Sequence, residues 1–190
     1  MTKRIIGASI IGLCGAAAIA AFWTAPPLKL AAPGLFGLEC AELVCVEQAE
    51  DMPQARELFA TAAAAVEKQT GLVVPRLNAV LCRSEDCYRR FGGGDERAIS
   101  YPFLGMVIAG RSWQDYIIRH ELIHWLQFEH FGAFETMEQP VWFREGMAYA
   151  LSGAPGHDIP APFKPWITKY KDWQGERSPA AIFLTQPVLD

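Results

Sequence analysis

The run HELIH at positions 120–124 has the residue types and the spacing most able to do chemistry in this chain. Residues four apart in a helix project from one face, about 6 Å apart along the axis. His120 and His124 can therefore offer two imidazole nitrogens to one metal ion, and Glu121 can reach a water on that metal without being a ligand. Glu145, 21 residues after His124, is the candidate third ligand. Such a donor set with an open position for water is typical of zinc hydrolases.

The five-residue motif alone is a loose pattern, and chance matches occur on helices whose histidines only form local hydrogen bonds. Other features favour a metal. The chain has 4 histidines, and two of them occupy this spacing. The motif lies in an amphipathic helix predicted from Ser112 to Gly132, and a second helix, predicted from Pro140 to Gly153, carries Glu145. We therefore expect one Zn²⁺ per chain.

The combination HELIH…PVWFREGMAYA resembles the gluzincin metallopeptidases, in the peptidase MA-like form typical of small proteins of bacterial cell envelopes. The resemblance covers roughly residues 52–153. It implies that His120, His124 and Glu145 are the zinc ligands and that Glu121 is the general base in the hydrolysis of peptide bonds. It also implies an α+β, zincin-like single domain with a small mixed sheet, and a polypeptide substrate.

Two further expectations come from the same resemblance. An edge strand ahead of the active helix binds the substrate backbone in such enzymes, which assigns the cleft wall to residues 101–109. Thermolysin-type members carry an aspartate four residues after the ligand glutamate, where this chain has Tyr149. We therefore do not expect thermolysin's support of the zinc histidine, or its substrate preference, to carry over.

A gluzincin also needs a donor, usually His or Tyr, that stabilises the oxyanion. The candidates are His157, Tyr149 and Tyr170, and the sequence does not select among them. His157 lies in a loop after the glutamate helix, where a solvated histidine with no role is an equally reasonable interpretation.

Two other functions remain open. The chain could be a zinc-binding envelope protein without peptidase activity that acts in interaction or assembly. Glu121 argues against this, because zinc binding alone does not require it. A zinc hydrolase acting on a non-peptide bond would share the same site.

The N-terminus predicts export. Lys3 and Arg4 precede an apolar, uncharged run at 5–23, so residues 1–23 are either a cleaved signal peptide or a membrane anchor (a transmembrane helix). Ala18-Ile19-Ala20 offers a cleavage site, but the run is also just long enough to span a bilayer. In both cases the domain is expected outside the cytoplasm, periplasmic or anchored to the inner membrane.

Composition supports the same location. After Cys14, four cysteines remain in two pairs of equal spacing, and an even number in an exported chain favours disulfides over a second, four-thiolate zinc site. The two local pairings are favoured, Cys40–Cys45 and Cys82–Cys87. The formal net charge is −4 and no basic patch is interleaved with aromatics, so nucleic acid is not an expected partner.

The rest of the chain is organised around this motif. Prolines and glycines at 24–50 predict an extended linker to a domain at 51–190. Within the domain we predict a helix at 52–69, strands at 76–82 and 97–109, and a short helix near 164–173.

Overall fold

The computed structural model describes residues 24–185. The predicted signal peptide or anchor, residues 1–23, lies outside this part of the chain, as do residues 186–190. Within residues 24–185, no helix is both long enough and apolar enough to cross a membrane. These residues form a single domain of mixed α+β structure.

A five-stranded sheet forms the centre of the described residues. In chain order its strands are β1 (Glu39–Ala41), β2 (Val44–Val46), β3 (Asn78–Leu81), β4 (Ala98–Tyr101) and β5 (Gly105–Ile108). The spatial order is β1-β2-β3-β5-β4. Strands β2, β3 and β5 are parallel, and an antiparallel strand lies at each edge. The small mixed sheet that was predicted is confirmed.

Seven α-helices are found in the same residues. They are α1 (Met52–Thr70), α2 (Glu85–Arg90), α3 (Asp115–Phe131), α4 (Ala133–Glu138), α5 (Val141–Ser152), α6 (Lys164–Gln174) and α7 (Pro179–Leu184). The predictions for α1, α3, α5 and α6 are confirmed, although α3 begins at Asp115 because Gly110–Ser112 forms a separate 3₁₀ turn. Helices α3 and α5 both end at the predicted glycine.

The sheet is buried on both faces. Successive strand residues point to opposite faces, so Ala79 and Leu81 join the core beneath α1, α3 and α5, whereas Val80 faces a second core. That second core contains Tyr88 and Phe91, which belong to α2 and the residue after it. The helix that carries the histidines is thereby held against one face of a rigid sheet.

The prediction that residues 24–50 form an extended linker is wrong. Val44–Val46 is a fully buried strand paired with β3, and Leu30 is completely buried. The amide of Asn78 donates a 2.7 Å hydrogen bond to the Leu30 carbonyl. The prolines begin two short 3₁₀ turns, Pro26–Ala31 and Pro33–Phe36, instead of an extended segment. This part of the chain belongs to the domain.

The single strand predicted at 97–109 is a hairpin of β4 and β5. Residues 102–104 form its turn, and Tyr101 pairs with Gly105, whose φ of 140° favours glycine. β5 lies inside the sheet between β3 and β4, so its backbone is not available to a ligand. Of the two strands of the hairpin only β4 lies at an edge of the sheet, which corrects the assignment of residues 101–109 to an edge strand.

Candidate metal centre

Helix α3 brings His120 and His124 together. The helix is mostly buried, which fixes its rotation, and Gly132 ends it. The two Nε2 atoms lie 3.1 Å apart, on one face of the helix as the i, i+4 spacing requires. His124 is 8% exposed, so its ring is largely removed from water.

Helix α5 supplies the carboxylate. Glu145 Oε2 lies 3.4 Å from His120 Nε2 and 3.6 Å from His124 Nε2. The helix begins after Pro140 and ends at Gly153 in the left-handed conformation. Gly146, the residue after Glu145, allows α6 to pack closely on α5, because a Cβ there would lie 2.5 Å from the Trp166 carbonyl oxygen.

These three residues form a group that could hold a metal ion. A tetrahedral ion with ligand bonds of about 2.05 Å has its ligand atoms about 3.3 Å apart. The three separations, 3.1, 3.4 and 3.6 Å, bracket that value. The donor chemistry also fits a cation, because unprotonated Nε2 atoms and a carboxylate turn only lone pairs toward one another. The residues therefore fit an ion in both spacing and charge.

Gln127 forms hydrogen bonds that hold the His124 ring in place. Its Oε1 lies 2.8 Å from His124 Nδ1, and its Nε2 donates to the Arg144 carbonyl at 3.0 Å. Because Gln127 Nε2 is already a donor to a carbonyl, Oε1 is the acceptor and His124 Nδ1 carries the proton. When the His124 ring is neutral, Nε2 therefore turns its lone pair toward the group. His120 Nδ1 has no hydrogen-bond partner among residues 24–185, and its ring packs on Tyr149.

The charges are strongly coupled. Burial alone would lower the pKa of His124, but the Glu145 carboxylate overrides burial and raises it to about 9. Burial alone would raise the pKa of Glu145, but the two histidines hold it far below its usual range. Glu145 is therefore anionic at any ordinary pH, and a positive charge in the group is favoured.

Glu121 lies beside this group without joining it. The residue lines the same cleft and is 6% exposed, and it is not one of the three grouped donors. The Ser100 hydroxyl donates to the Glu121 backbone carbonyl at 3.2 Å, which ties edge strand β4 to α3.

The group opens into a cleft of about 740 Å³. One wall is residues 95–100, which include part of β4, and the opposite walls come from α3, α5 and the start of α6. Residues 101–109, which were expected to line the cleft, do not line it. The turn after Tyr101 carries the chain away from the cleft into the interior of the sheet.

Of the three candidate donors, Tyr149 lies at the site. Its ring centroid is 4.3 Å from that of His120, and it lines the cleft. Burial, reinforced by Glu145, raises its pKa to about 12, so its hydroxyl keeps its proton at neutral pH. The His157 side chain is 83% exposed beside Asp158. Tyr170 is fully buried in the α5–α6 interface, and neither residue lines the cleft.

Three residues of the site were not identified from sequence. Tyr116 is four residues before His120 and Gln127 is three after His124, so helical spacing could have found both. Arg97 precedes β4, and no local pattern distinguishes it. Its guanidinium donates to the Tyr116 hydroxyl at 3.3 Å, and that hydroxyl donates to Asp158 at 2.8 Å.

The cysteines pair as the spacing predicted. Cys40–Cys45 joins β1 to β2 with an S–S distance of 2.06 Å, and Cys82–Cys87 joins the end of β3 to α2. With both pairs oxidised, no thiolates remain in these four residues for a second zinc.

Comparisons with protein-family models, with curated proteins and with solved structures found no match to this chain. Statements about its function therefore rest on the geometry of the site.

Proposed function

We propose that the protein is an exported zinc metallopeptidase that hydrolyses peptide bonds with Glu121 as general base. The observation that carries the proposal is the spacing of the His120, His124 and Glu145 donor atoms near that of a tetrahedral site, with Glu121 in the same cleft. The intact Glu121 favours catalysis over the alternative, a zinc-binding envelope protein without peptidase activity.

Zinc is the metal that this donor set favours. Two imidazoles and one carboxylate with an open fourth position suit Zn²⁺ better than Mg²⁺ or Ca²⁺, which take oxygen ligands. When bound, zinc would lower the pKa of a coordinated water to about 7 and polarise a substrate carbonyl.

Glu121 would act as the general base. Its low exposure removes competing water, and its place beside the ligands lets it accept a proton from the attacking water and pass it to the leaving amine. The new carbon–oxygen bond would form first and leave negative charge on the carbonyl oxygen. The carbon–nitrogen bond would then break, and the amine would leave as a neutral group with the proton that Glu121 took from the water.

Tyr149 would donate a hydrogen bond to the developing oxyanion. It packs on His120 and opens to the cleft, and its hydroxyl is protonated at neutral pH. A donor already in position when negative charge develops costs no reorganisation. The tyrosine that replaces the aspartate of thermolysin-type enzymes would thus act on substrate, while Gln127 holds a zinc histidine.

An extended polypeptide is the substrate that fits. β4 is an edge strand, and an edge has unpaired backbone groups that can pair with an added strand. Phe128, Met137 and Val141 give one end of the cleft an apolar lining for side chains. These features also support the proposed likeness to gluzincins and to a zincin-like fold.

Export is supported by the two disulfides, which persist in oxidising compartments. The proposed location is the periplasm or the outer side of the inner membrane, with residues 1–23 as signal or anchor. In either case the cleft would meet exported or membrane-tethered polypeptides.

The test combines metal analysis with a peptidase assay on wild type and Glu121→Gln. We expect about one zinc in both proteins, and cleavage of unfolded polypeptide that chelator and Glu121→Gln each abolish. Zinc without Glu121-dependent cleavage would favour the non-catalytic alternative. Activity that survives chelation would contradict the mechanism.

A further inference from the structure

Two arginines line the cleft, and only one of them forms an ion pair with a carboxylate in residues 24–185. Arg144 is paired with Glu145, its Nε lying 3.5 Å from Oε1. Arg97 forms no ion pair with any carboxylate in residues 24–185. Its one side-chain hydrogen bond in that part of the chain goes to Tyr116. A guanidinium has five N–H donors, so most of those of Arg97, an exposed residue that lines the cleft, have no protein acceptor among residues 24–185.

None of the nearby carboxylates that the structure describes lies within ion-pair distance of Arg97. Glu96 Oε1 accepts hydrogen bonds from the Tyr88 hydroxyl and the Gly94 amide. Asp158 accepts from Tyr116, and Asp95 is exposed at the cleft rim without an ion pair to Arg97. Of the described residues that line this end of the cleft, Arg97 is the one with a cationic side chain.

The distance between Arg97 and the proposed reaction centre can be estimated along α3. Tyr116, which Arg97 contacts, is one helical turn before His120, or about 6 Å along the axis. An extended peptide advances about 3.3 Å per residue. A group bound by Arg97 would therefore lie one or two residues from a peptide bond held at the metal group. The far end of the cleft, near Phe128 and Met137, is apolar.

We propose that Arg97 binds a carboxylate of the substrate, one or two residues from the bond that is cleaved. The inference rests on the proposed peptidase function and names its substrate class: extended polypeptides with an acidic group at that position. The planar guanidinium suits bidentate contact with a carboxylate. The carboxylate can be an acidic side chain or the chain's own C-terminus.

The test compares matched peptides that differ at one position. One set carries Glu or Gln one or two residues to either side of the cleaved bond, with the C-terminus amidated. A second set has no acidic residue and ends in a free acid or an amide. We expect wild type to prefer the charged member of one set by about tenfold in kcat/KM, as a charge-assisted hydrogen bond gives. Whichever set shows the preference identifies the source of the carboxylate.

Variants assign the preference to Arg97. Arg97→Gln should bring the charged-to-neutral ratio of kcat/KM to about 1, and Arg97→Lys should restore part of the preference. Arg89→Gln is the matched control, because Arg89 is an exposed arginine that does not line the cleft. A preference that survives Arg97→Gln, or no preference in wild type, would overturn the inference but leave the peptidase intact.

Binding separates this inference from the function on which it rests. Fluorescence anisotropy with the same peptides and the zinc-loaded Glu121→Gln protein needs no turnover. If no peptide is cleaved but the charged one binds about tenfold tighter through Arg97, the peptidase fails and the carboxylate contact stands. If charged and neutral peptides bind equally, or none binds, the carboxylate contact is refuted.

Discussion

Replacing Gln127 with methionine tests whether the hydrogen bond between Gln127 and His124 stabilises the metal group. Gln127 is fully buried and bridges His124 Nδ1, at 2.8 Å, to the Arg144 carbonyl, at 3.0 Å. Methionine keeps the length of the side chain and most of its volume but forms neither hydrogen bond. The His124 ring would lose the contact that fixes its orientation and its Nε2 lone pair.

Two quantities should fall in Gln127→Met: the free energy of unfolding and the affinity for zinc. Leaving the buried His124 Nδ1–H without a partner should lower the free energy of unfolding of the metal-free protein by about 1–3 kcal/mol. Loss of a hydrogen bond that orients a ligand histidine should weaken zinc binding by about 10–100-fold. That factor is about 1.4–2.7 kcal/mol of binding free energy.

Zinc affinity is measured by competition with a chromophoric chelator, and stability by denaturant unfolding of chelator-treated protein. Gln139→Met is the matched control, because the Gln139 Oε1 has no hydrogen-bond partner among residues 24–185 and the residue does not line the cleft. Unchanged zinc affinity in Gln127→Met would refute the supporting role assigned to Gln127.

Three other predictions follow from the site and the fold. Tyr149→Phe should lower kcat by about 10²-fold with zinc content unchanged, as loss of one oxyanion donor does; a change in KM alone in steady-state kinetics would contradict this. In chelator-treated protein, the stabilisation that His124 contributes should be complete below pH 6.5 and should be lost as the pH rises through about 9. The stabilisation that Glu145 contributes should be complete above pH 4.5 and should be lost in acid. Calorimetry should therefore find the thermal midpoint falling from pH 7 to 10, and a rising midpoint would refute the coupling. Peptide mapping without reductant should recover both disulfides as local loops, each worth about 2 kcal/mol, and free thiols would contradict the pairing.

The helices of the site could be predicted because their signals are local. Gly132 and Gly153 end α3 and α5 where the sequence placed the ends, and the i, i+4 spacing fixes His120 and His124 on one face. Tyr149 follows Glu145 by one turn, so the same periodicity explains its place beside the metal group.

The sheet was harder because its pairing is not local. β2 is buried only because it pairs with β3, 30 residues or more along the chain, and nothing between 44 and 46 shows this. The hairpin at 98–108 was predicted as one strand because its turn carries an apolar residue, Phe103, at a positive φ. For the same reason the cleft wall was predicted at residues 101–109, whereas residues 95–100 form it. Arg97 directly precedes the hairpin, so its contact with Tyr116 depends on how the hairpin folds.

The most direct test of the central claim is anomalous diffraction at the zinc edge from crystals of zinc-loaded protein. We expect one strong peak about 2.0–2.2 Å from His120 Nε2, His124 Nε2 and a Glu145 carboxylate oxygen, with Glu121 outside the ligand shell. The same peak should be absent from crystals of His124→Ala. A peak at other residues, or none in zinc-saturated crystals, would contradict the metal site and the chemistry proposed from it.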